Sequence, residues 1–158
     1  MLLARLLVLG AFLWFAALVL APLARHSPNH LIARSAALVY DAGSFVCHQR
    51  PARSFRVGRS AMPVCARCTG LYASAAAGGL LALLFSVAGT APWRARLLLA
   101  VAAVPTVVTF GAEQAGWWFP SNGIRALAAL PLGFCAAWVV VEALVSRARP
   151  RQVSGYHS

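Results

Sequence analysis

The chain alternates between long apolar runs and shorter polar segments. Residues 2–24 contain a single charged side chain, Arg5. At about 1.5 Å rise per residue, a helix of this length crosses the roughly 30 Å hydrocarbon core of a bilayer. Three further apolar runs follow, at about residues 71–89, 97–119 and 126–146. The pattern therefore predicts four transmembrane helices.

The first apolar run also has features of a secretory signal peptide. It has a positively charged start, and Val19-Leu20-Ala21 near its end would suit a signal peptidase. The run is long, however, and nothing after it resembles a soluble secreted domain. We therefore interpret residues 2–24 as the first span, and the two interpretations differ in whether residues 1–24 are retained.

A polar loop, residues 25–70, separates the first two spans and begins with an amphipathic segment. Between residues 31 and 46 apolar side chains recur at helical spacing, whereas Arg34 and Asp41 fall on the other side. This pattern predicts a short helix that lies on the bilayer surface or packs against the bundle. The helix would carry Cys47 at its C-terminal end.

Two weaker patterns concern the rest of the loop and the packing of the spans. Partial alternation of apolar side chains around Gly58 predicts a small hairpin within residues 54–64. Small side chains in the second span are spaced so that a neighbouring helix can approach closely. They are Ala73, Ser74, Ala77 and Gly78.

Composition agrees with a membrane protein. Of the 158 residues, 61% are hydrophobic and only 11% are charged, whereas soluble domains average about 25% charged residues. There is too little polar surface to cover a water-exposed globule. We predict one all-α membrane domain, residues 1–158. It is a four-helix bundle with an amphipathic helix, a loop rich in Cys, His and Arg between spans 1 and 2, and a basic tail, residues 147–158.

The charge of the chain is strongly positive. The formal net charge is +11, and all fourteen basic side chains are arginines. Because these arginines flank apolar runs, we expect them to contact the bilayer and its anionic lipid headgroups, and we expect no nucleic-acid partner. They divide almost evenly between the two sides, so the positive-inside rule alone does not orient the chain. We expect a multi-pass protein of the cell membrane with its termini in the cytoplasm.

The loop contains the residues that could carry chemistry. Cys47 and His48 are followed, after a long gap, by Cys65 and Cys68. Three thiolates and an imidazole are the ligand set of a zinc site, and a Cys-x-x-Cys turn points two sulfur atoms at one tetrahedral centre. The sequence therefore predicts a metal site at these four residues.

The fourth ligand of this site has several candidates. Adjacent side chains on a helix diverge by about 100°, so His48 could point away from Cys47. In that case His26, His30 or water would be the fourth ligand, and a fourth position open to water or substrate would make the metal catalytic rather than structural.

Other interpretations of the cysteines stay open. A Cys-x-x-Cys that contains Arg67 would have a lowered thiol pKa, as in thiol-disulfide oxidoreductases. Cys65 and Cys68 could then exchange electrons with a quinone. A structural disulfide or inert packing is the third interpretation. Haem attachment is disfavoured because Thr69 stands where that motif needs His.

The remaining candidates are charged residues. Arginines between positions 50 and 67 could bind a lipid phosphate or another anion, or simply form a solvated face. Arg67, between two ligand cysteines, could donate to sulfur and tune the site. Glu113 is an acid inside a span, where acids are usually paired or functional, and Arg125 across the next turn could neutralise it. Glu113 and Arg67 are the candidate catalytic residues.

Several short motifs together resemble domain-of-unknown-function family 2085, a group of small prokaryotic membrane proteins. The resemblance covers roughly residues 31–145. The motifs are Cys47-His48-Gln49, Arg53-Ser54-Phe55, Gly58, Pro63-Val64-Cys65-Ala66-Arg67-Cys68-Thr69-Gly70-Leu71-Tyr72, and Ser121-Asn122 with Arg125 and Gly133. The resemblance implies a membrane protein with a shared Cys/His/Arg centre, and in this family an Asp often stands near the position of Glu113. It implies no activity.

The sequence thus predicts a membrane protein with a zinc-like centre in its loop. The first alternative is a membrane thiol-disulfide oxidoreductase that uses Cys65 and Cys68 with a quinone, and the second is a protein that binds or transfers anionic lipid phosphate. No motif identifies a reaction, so whether the protein is an enzyme stays open.

Overall fold

The computed structural model describes residues 1–85 and 90–148, which form five α-helices and one small sheet. The elements are α1 (Leu2–Ala24), α2 (His30–Ser44), a 3-10 turn (Pro51–Arg53), β1 (Arg56–Val57), β2 (Ser60–Ala61), α3 (Ala66–Phe85), α4 (Pro92–Gln114) and α5 (Asn122–Ala148). Four of these helices, α1, α3, α4 and α5, are long and apolar enough to cross a membrane. The predicted all-α membrane bundle is confirmed.

The helices do not coincide with the apolar runs. The helix α3 begins at Ala66 rather than at residue 71, because the Cys-x-x-Cys segment forms its first turn. The helix α4 ends at Gln114, since Gly116 adopts a φ of +72° and the Trp117 N–H donates back to the Ala112 carbonyl. The aromatic run 117–119 therefore follows the helix. The end of the predicted second span, residues 86–89, and residues 149–158 of the basic tail lie outside the described residues.

The helices α3 and α5 run parallel and form the most extensive contact of the bundle. A Cβ at Gly70 would collide with the Ala126 carbonyl, and one at Gly78 with the Phe134 carbonyl. From the other side, Gly133 meets the Leu71 carbonyl. We call this contact the α3–α5 seam. The predicted close approach at Gly78 is confirmed, because only hydrogen fits between the two backbones.

The helix α1 runs antiparallel to α3 and contributes to both ends of the bundle. At one end Ala4 and Val8 pack with Ala82, Val141 and Val145. At the other end Leu18 packs with residues of the loop. We call the second end the motif end, because it contains Cys47, Cys65 and Cys68. Both the start of α1 and the end of α5 lie at the opposite end.

The helix α4 packs mainly against α5. The Thr106 hydroxyl donates to the Ala128 carbonyl at 2.7 Å, and Ala102, Thr109 and Glu113 are its buried residues. The rest of the helix presents an apolar surface that suits lipid. The exposed apolar residues of α4 are Trp93, Leu97, Leu98, Val101, Val104, Val107, Val108 and Phe110.

The loop forms the predicted helix and hairpin. The Asn29 side chain accepts from the Leu31 N–H and so caps α2. The strands β1 and β2 pair antiparallel, with Val57 opposite Ser60. Gly58 makes the turn between them with a φ of +60°, which L side chains rarely adopt. Both predicted elements are confirmed, but α2 ends at Ser44, so Cys47 and His48 follow the helix rather than belonging to it.

Candidate metal centre

The three loop cysteines meet at one point. The Sγ atoms of Cys47, Cys65 and Cys68 all lie within 4.8 Å of one another, and all three thiols are free. Three sulfurs on a tetrahedral zinc, each at about 2.3 Å from the ion, would be about 3.8 Å apart. The observed separations exceed this value by at most about 1 Å, so the cluster is nearly compact enough to hold a metal ion.

The start of α3 positions two of these cysteines. Cys65 immediately precedes the helix and Cys68 lies in its first turn, so both sulfurs lie on the same side. The pKa of Cys65 falls to about 5, mainly because the Cys68 thiol hydrogen-bonds to it, with help from the backbone N–H groups of Cys68 and Arg67. Burial opposes this fall. The helix start therefore stabilises a thiolate, which is the form that binds metal.

Three contacts of α2 bring Cys47 to this pair. Gly43 lets the end of α2 approach the Pro63 carbonyl, which would lie only 2.7 Å from an added Cβ. The Tyr40 hydroxyl donates to the Ala61 carbonyl, and the Gln49 amide donates to the Tyr40 carbonyl. The Cys65 N–H then donates to the Cys47 Sγ at 3.2 Å. The close approach of α2 to the 61–65 segment therefore sets the position of Cys47.

None of the predicted histidine ligands lies within the sulfur cluster. His48 is exposed and lines the cavity beside the cysteines, but it does not join the sulfur cluster of the described residues. His26 Nε2 lies 2.8 Å from the Ser60 hydroxyl. His30 is exposed at the start of α2. The structure thus brings together the three thiols, and His48 is the histidine of the described residues that lines their cavity.

Glu113 lies at the motif end and binds three arginines. Its Oε1 is 2.7 Å from an Arg125 nitrogen and 3.1 Å from Arg53 Nε, and its Oε2 is 3.3 Å from an Arg67 nitrogen. The carboxylate side chain is only 1% exposed. The predicted pairing of Glu113 with Arg125 is confirmed, while Arg53 and Arg67 were not predicted as partners.

The Arg67 guanidinium binds this carboxylate and stacks over Phe110, 5.3 Å from its ring centre. No hydrogen bond from Arg67 to sulfur is found among the described residues.

The start of α5 ties this ion cluster to the loop. The Asn122 amide donates to the Ser54 carbonyl at 3.1 Å, and its oxygen accepts from Arg125 at 2.8 Å. Ser54 itself is buried. In the sequence, Asn122 appears only within the motif that resembles the family, and no contact was predicted for it. The spacing of Asn122 and Arg125, one helical turn apart, is a local pattern that could have indicated their contact.

The cysteines and the arginines share one cavity of about 350 Å³. Its walls come from the loop, the start of α3, the end of α4 and the start of α5. The lining residues are Val46, Cys47, His48, Gln49, Arg50, Arg53, Cys65, Arg67, Cys68, Phe110, Gln114 and Arg125.

Two other side chains with reactive or ionisable groups lie away from this cavity. Glu142 is buried towards the opposite end of the bundle, where it accepts from the Thr90 hydroxyl at 2.7 Å. Cys135 lies within α5, is partly buried, and is not part of the sulfur cluster.

Comparison with known proteins places the chain in a family. Residues 47–139 match the family described as "Predicted membrane protein (DUF2085)". The chain belongs to this family. A protein of Methanothermobacter thermautotrophicus described as "Uncharacterized protein" is 37% identical over 90 residues, which cover 56% of this chain and 78% of that protein. No solved structure matches the chain.

The part of this DUF2085 protein that matches the family contains nearly the whole site. The match begins at Cys47 and includes both halves of the cavity, the thiols and the arginines around Glu113. Of the lining residues only Val46 precedes it. The helices α1 and α2 lie before the matched region, although Leu18, Tyr40 and Gly43 help to hold Cys47 in place.

Proposed function

We propose that this DUF2085 protein is a multi-pass membrane protein that binds a metal ion, most simply zinc, through Cys47, Cys65 and Cys68. The observation that carries the proposal is the convergence of three sulfurs from two distant segments. Soft thiolate ligands in a compact cluster suit zinc, whose structural sites are tetrahedral. The metal would join the end of α2 to the start of α3 and so stabilise a polar loop at the membrane boundary.

The surroundings of the cluster support this assignment. Three thiolates carry three negative charges, one more than a zinc ion neutralises. Arg50, Arg53, Arg67 and Arg125 line the same cavity and offset the remaining charge. The fourth ligand is His48, after rotation of its side chain, or a water molecule. Glu113 is a positioning residue in this proposal, because it holds three of the arginines.

Elemental analysis of the purified full-length protein tests the metal site. We expect about one zinc per chain in the wild type and in Cys135→Ser, and a loss of metal in Cys65→Ser. Cys135→Ser is a matched control, because it removes a thiol outside the cluster. His48→Ala would retain the metal if water is the fourth ligand. Metal-free wild type, or equal metal in Cys65→Ser, would contradict the proposal.

A thiol-disulfide oxidoreductase is the second candidate. It is favoured by the free thiols of Cys65 and Cys68, which lie close together at the start of a helix. In this reaction the two thiols would lose two electrons and two protons to a quinone, which would become a quinol, and a disulfide bond would form between the two sulfurs. The loop would then face outward from the inner membrane, with Cys47 as a third participating thiol.

Alkylation in whole cells separates the two candidates. A membrane-impermeant reagent that modifies Cys65 or Cys68 in intact cells, together with metal-free purified protein, would support the oxidoreductase. A metal-loaded loop that resists alkylation and faces the cytoplasm would exclude it. The same experiment determines on which side of the inner membrane the loop lies.

A further inference from the structure

The cavity beside the cysteines has an excess of positive charge that the chain itself cannot neutralise. Four arginines line it, Arg50, Arg53, Arg67 and Arg125, and Glu113 pairs with the last three of them. The sequence contains only three acidic side chains. The other two, Asp41 on the exposed side of α2 and Glu142 at the opposite end, lie elsewhere.

Several N–H groups of these arginines have no acceptor among the described residues. The Nε atoms of Arg67 and Arg125 are buried without a hydrogen-bond partner in the described residues, and the Arg125 side chain is only 9% exposed. Arg50 has no carboxylate within ion-pair distance among those residues. A buried donor without an acceptor is costly. An oxyanion that binds several guanidinium groups at once, through their accessible N–H groups, would offset the excess positive charge, and its oxygens match the guanidinium geometry.

We propose that this cavity binds an oxyanion, a phosphate group, held by Arg50, Arg53, Arg67 and Arg125. The cavity volume of about 350 Å³ is larger than such a group needs, and Val46 and Phe110 form apolar parts of its wall. The oxyanion is therefore the head of a larger molecule. A free metabolite and a membrane lipid both offer this chemistry.

The inference does not depend on the metal. Four arginines and one carboxylate leave three positive charges. A zinc ion with three thiolates carries one negative charge, and a single thiolate carries the same. The cavity stays positive in the metal-loaded and in the metal-free protein, so an anion is attracted in both cases.

Binding to purified full-length protein in nanodiscs tests the site. Inorganic phosphate, added to protein in phosphatidylcholine nanodiscs and followed by calorimetry, reports a free oxyanion. Phosphatidic acid in the nanodisc, followed by lipid retention in native mass spectrometry, reports a lipid headgroup. We expect saturable binding of at least one of these probes, weakened about tenfold by Arg50→Gln, because a charge-assisted hydrogen bond is lost.

Arg59→Gln is the matched control. Arg59 belongs to the same loop and is exposed in the hairpin turn, but it does not line the cavity. We expect this change to alter the affinity less than about twofold. Arg53→Gln provides a second cavity variant, and the thermal unfolding midpoint of each variant shows whether it is folded.

Each outcome decides the proposal. Phosphate binding that is sensitive to Arg50→Gln supports a water-soluble ligand with a phosphate group. Binding of phosphatidic acid alone supports a membrane lipid. Binding that survives in the folded Cys65→Ser variant supports a site separate from the metal. Failure of both probes to saturate the wild type, or equal weakening by Arg50→Gln and Arg59→Gln, overturns the proposal and leaves the metal assignment untouched.

Discussion

The α3–α5 seam and the motif end are held together by different forces. In the seam, glycines bring two backbones into contact, and neighbouring helices are fitted by shape alone. At the motif end, side chains from the loop, α3, α4 and α5 meet through thiols, guanidinium groups and a buried carboxylate. The seam requires glycines, because a Cβ would prevent the close approach of the two helices. The motif end requires specific functional groups on its side chains.

This difference indicates how the protein divides its tasks. In a lipid environment apolar side chains gain little by leaving lipid for the protein interior, so close packing stabilises the bundle. The seam provides that rigidity through glycines and small side chains, without charged groups. The motif end can then carry buried charges whose desolvation costs free energy, because α3 and α5 hold its parts in position.

The largest effect is expected from the carboxylate of the motif end. Glu113→Gln keeps the shape but removes the negative charge that forms ion pairs with three arginines. We expect a loss of about 3–5 kcal/mol in the free energy of unfolding, as for other broken buried ion pairs. Unfolding of the purified protein in detergent measures this loss. Glu142→Gln is the control, with an expected loss below about 1 kcal/mol, because the Gln oxygen can still accept from Thr90. Equal losses for the two variants would mean that the arginine cluster has no special role in stability.

The next effect concerns the seam. Gly78→Ala places a methyl group against the Phe134 carbonyl of α5, and the helices must separate. We expect a cost of about 1–3 kcal/mol, measured by the same unfolding experiment. Gly10→Ala in α1 has open space around the new methyl group and should be neutral or stabilise slightly, by up to about 1 kcal/mol. A neutral Gly78→Ala would show that the seam is not closely packed.

The smallest effect is expected where α2 meets the loop. Tyr40→Phe removes the hydroxyl that donates to the Ala61 carbonyl, at an expected cost of about 1 kcal/mol. Because this contact helps to place Cys47, zinc affinity, measured by chelator competition, should also fall. Ser44→Ala removes an exposed hydroxyl that bonds only within its own helix and should leave the zinc affinity unchanged. An unchanged zinc affinity in Tyr40→Phe would show that the contact between Tyr40 and Ala61 does not help to position the metal site.

Much of the architecture could be predicted from local patterns. Apolar runs predicted the four long helices, and helical spacing in residues 31–46 predicted α2. The glycine at position 58 indicated the hairpin turn. These features depend on the spacing of apolar residues over a few positions and on the length of apolar sequence needed to cross a bilayer. Both can be read directly from the sequence. The helix bounds were displaced where polar residues, such as those of the Cys-x-x-Cys turn, continue a helix beyond its apolar part.

The site was predictable only in pieces. The closeness of Cys65 and Cys68 follows from their spacing, and the pairing of Glu113 with Arg125 was expected because a short turn separates them. The roles of Arg53 and Gln49 were not expected. These residues act through partners that are distant in the sequence, or through a backbone turn such as the φ of +46° at Gln49.

The sequence by itself determined that the protein is a helical membrane protein and that its reactive groups lie in one loop, because hydropathy and spacing act over short distances. Only the tertiary structure decided that Cys47 joins the other two sulfurs, that His48 remains outside their cluster, and that three arginines share one carboxylate. Those contacts depend on how α2 folds back against the 61–65 segment and how α5 lies beside α3. The spacing of apolar residues along the sequence does not predict such contacts, because they depend on how distant segments pack together.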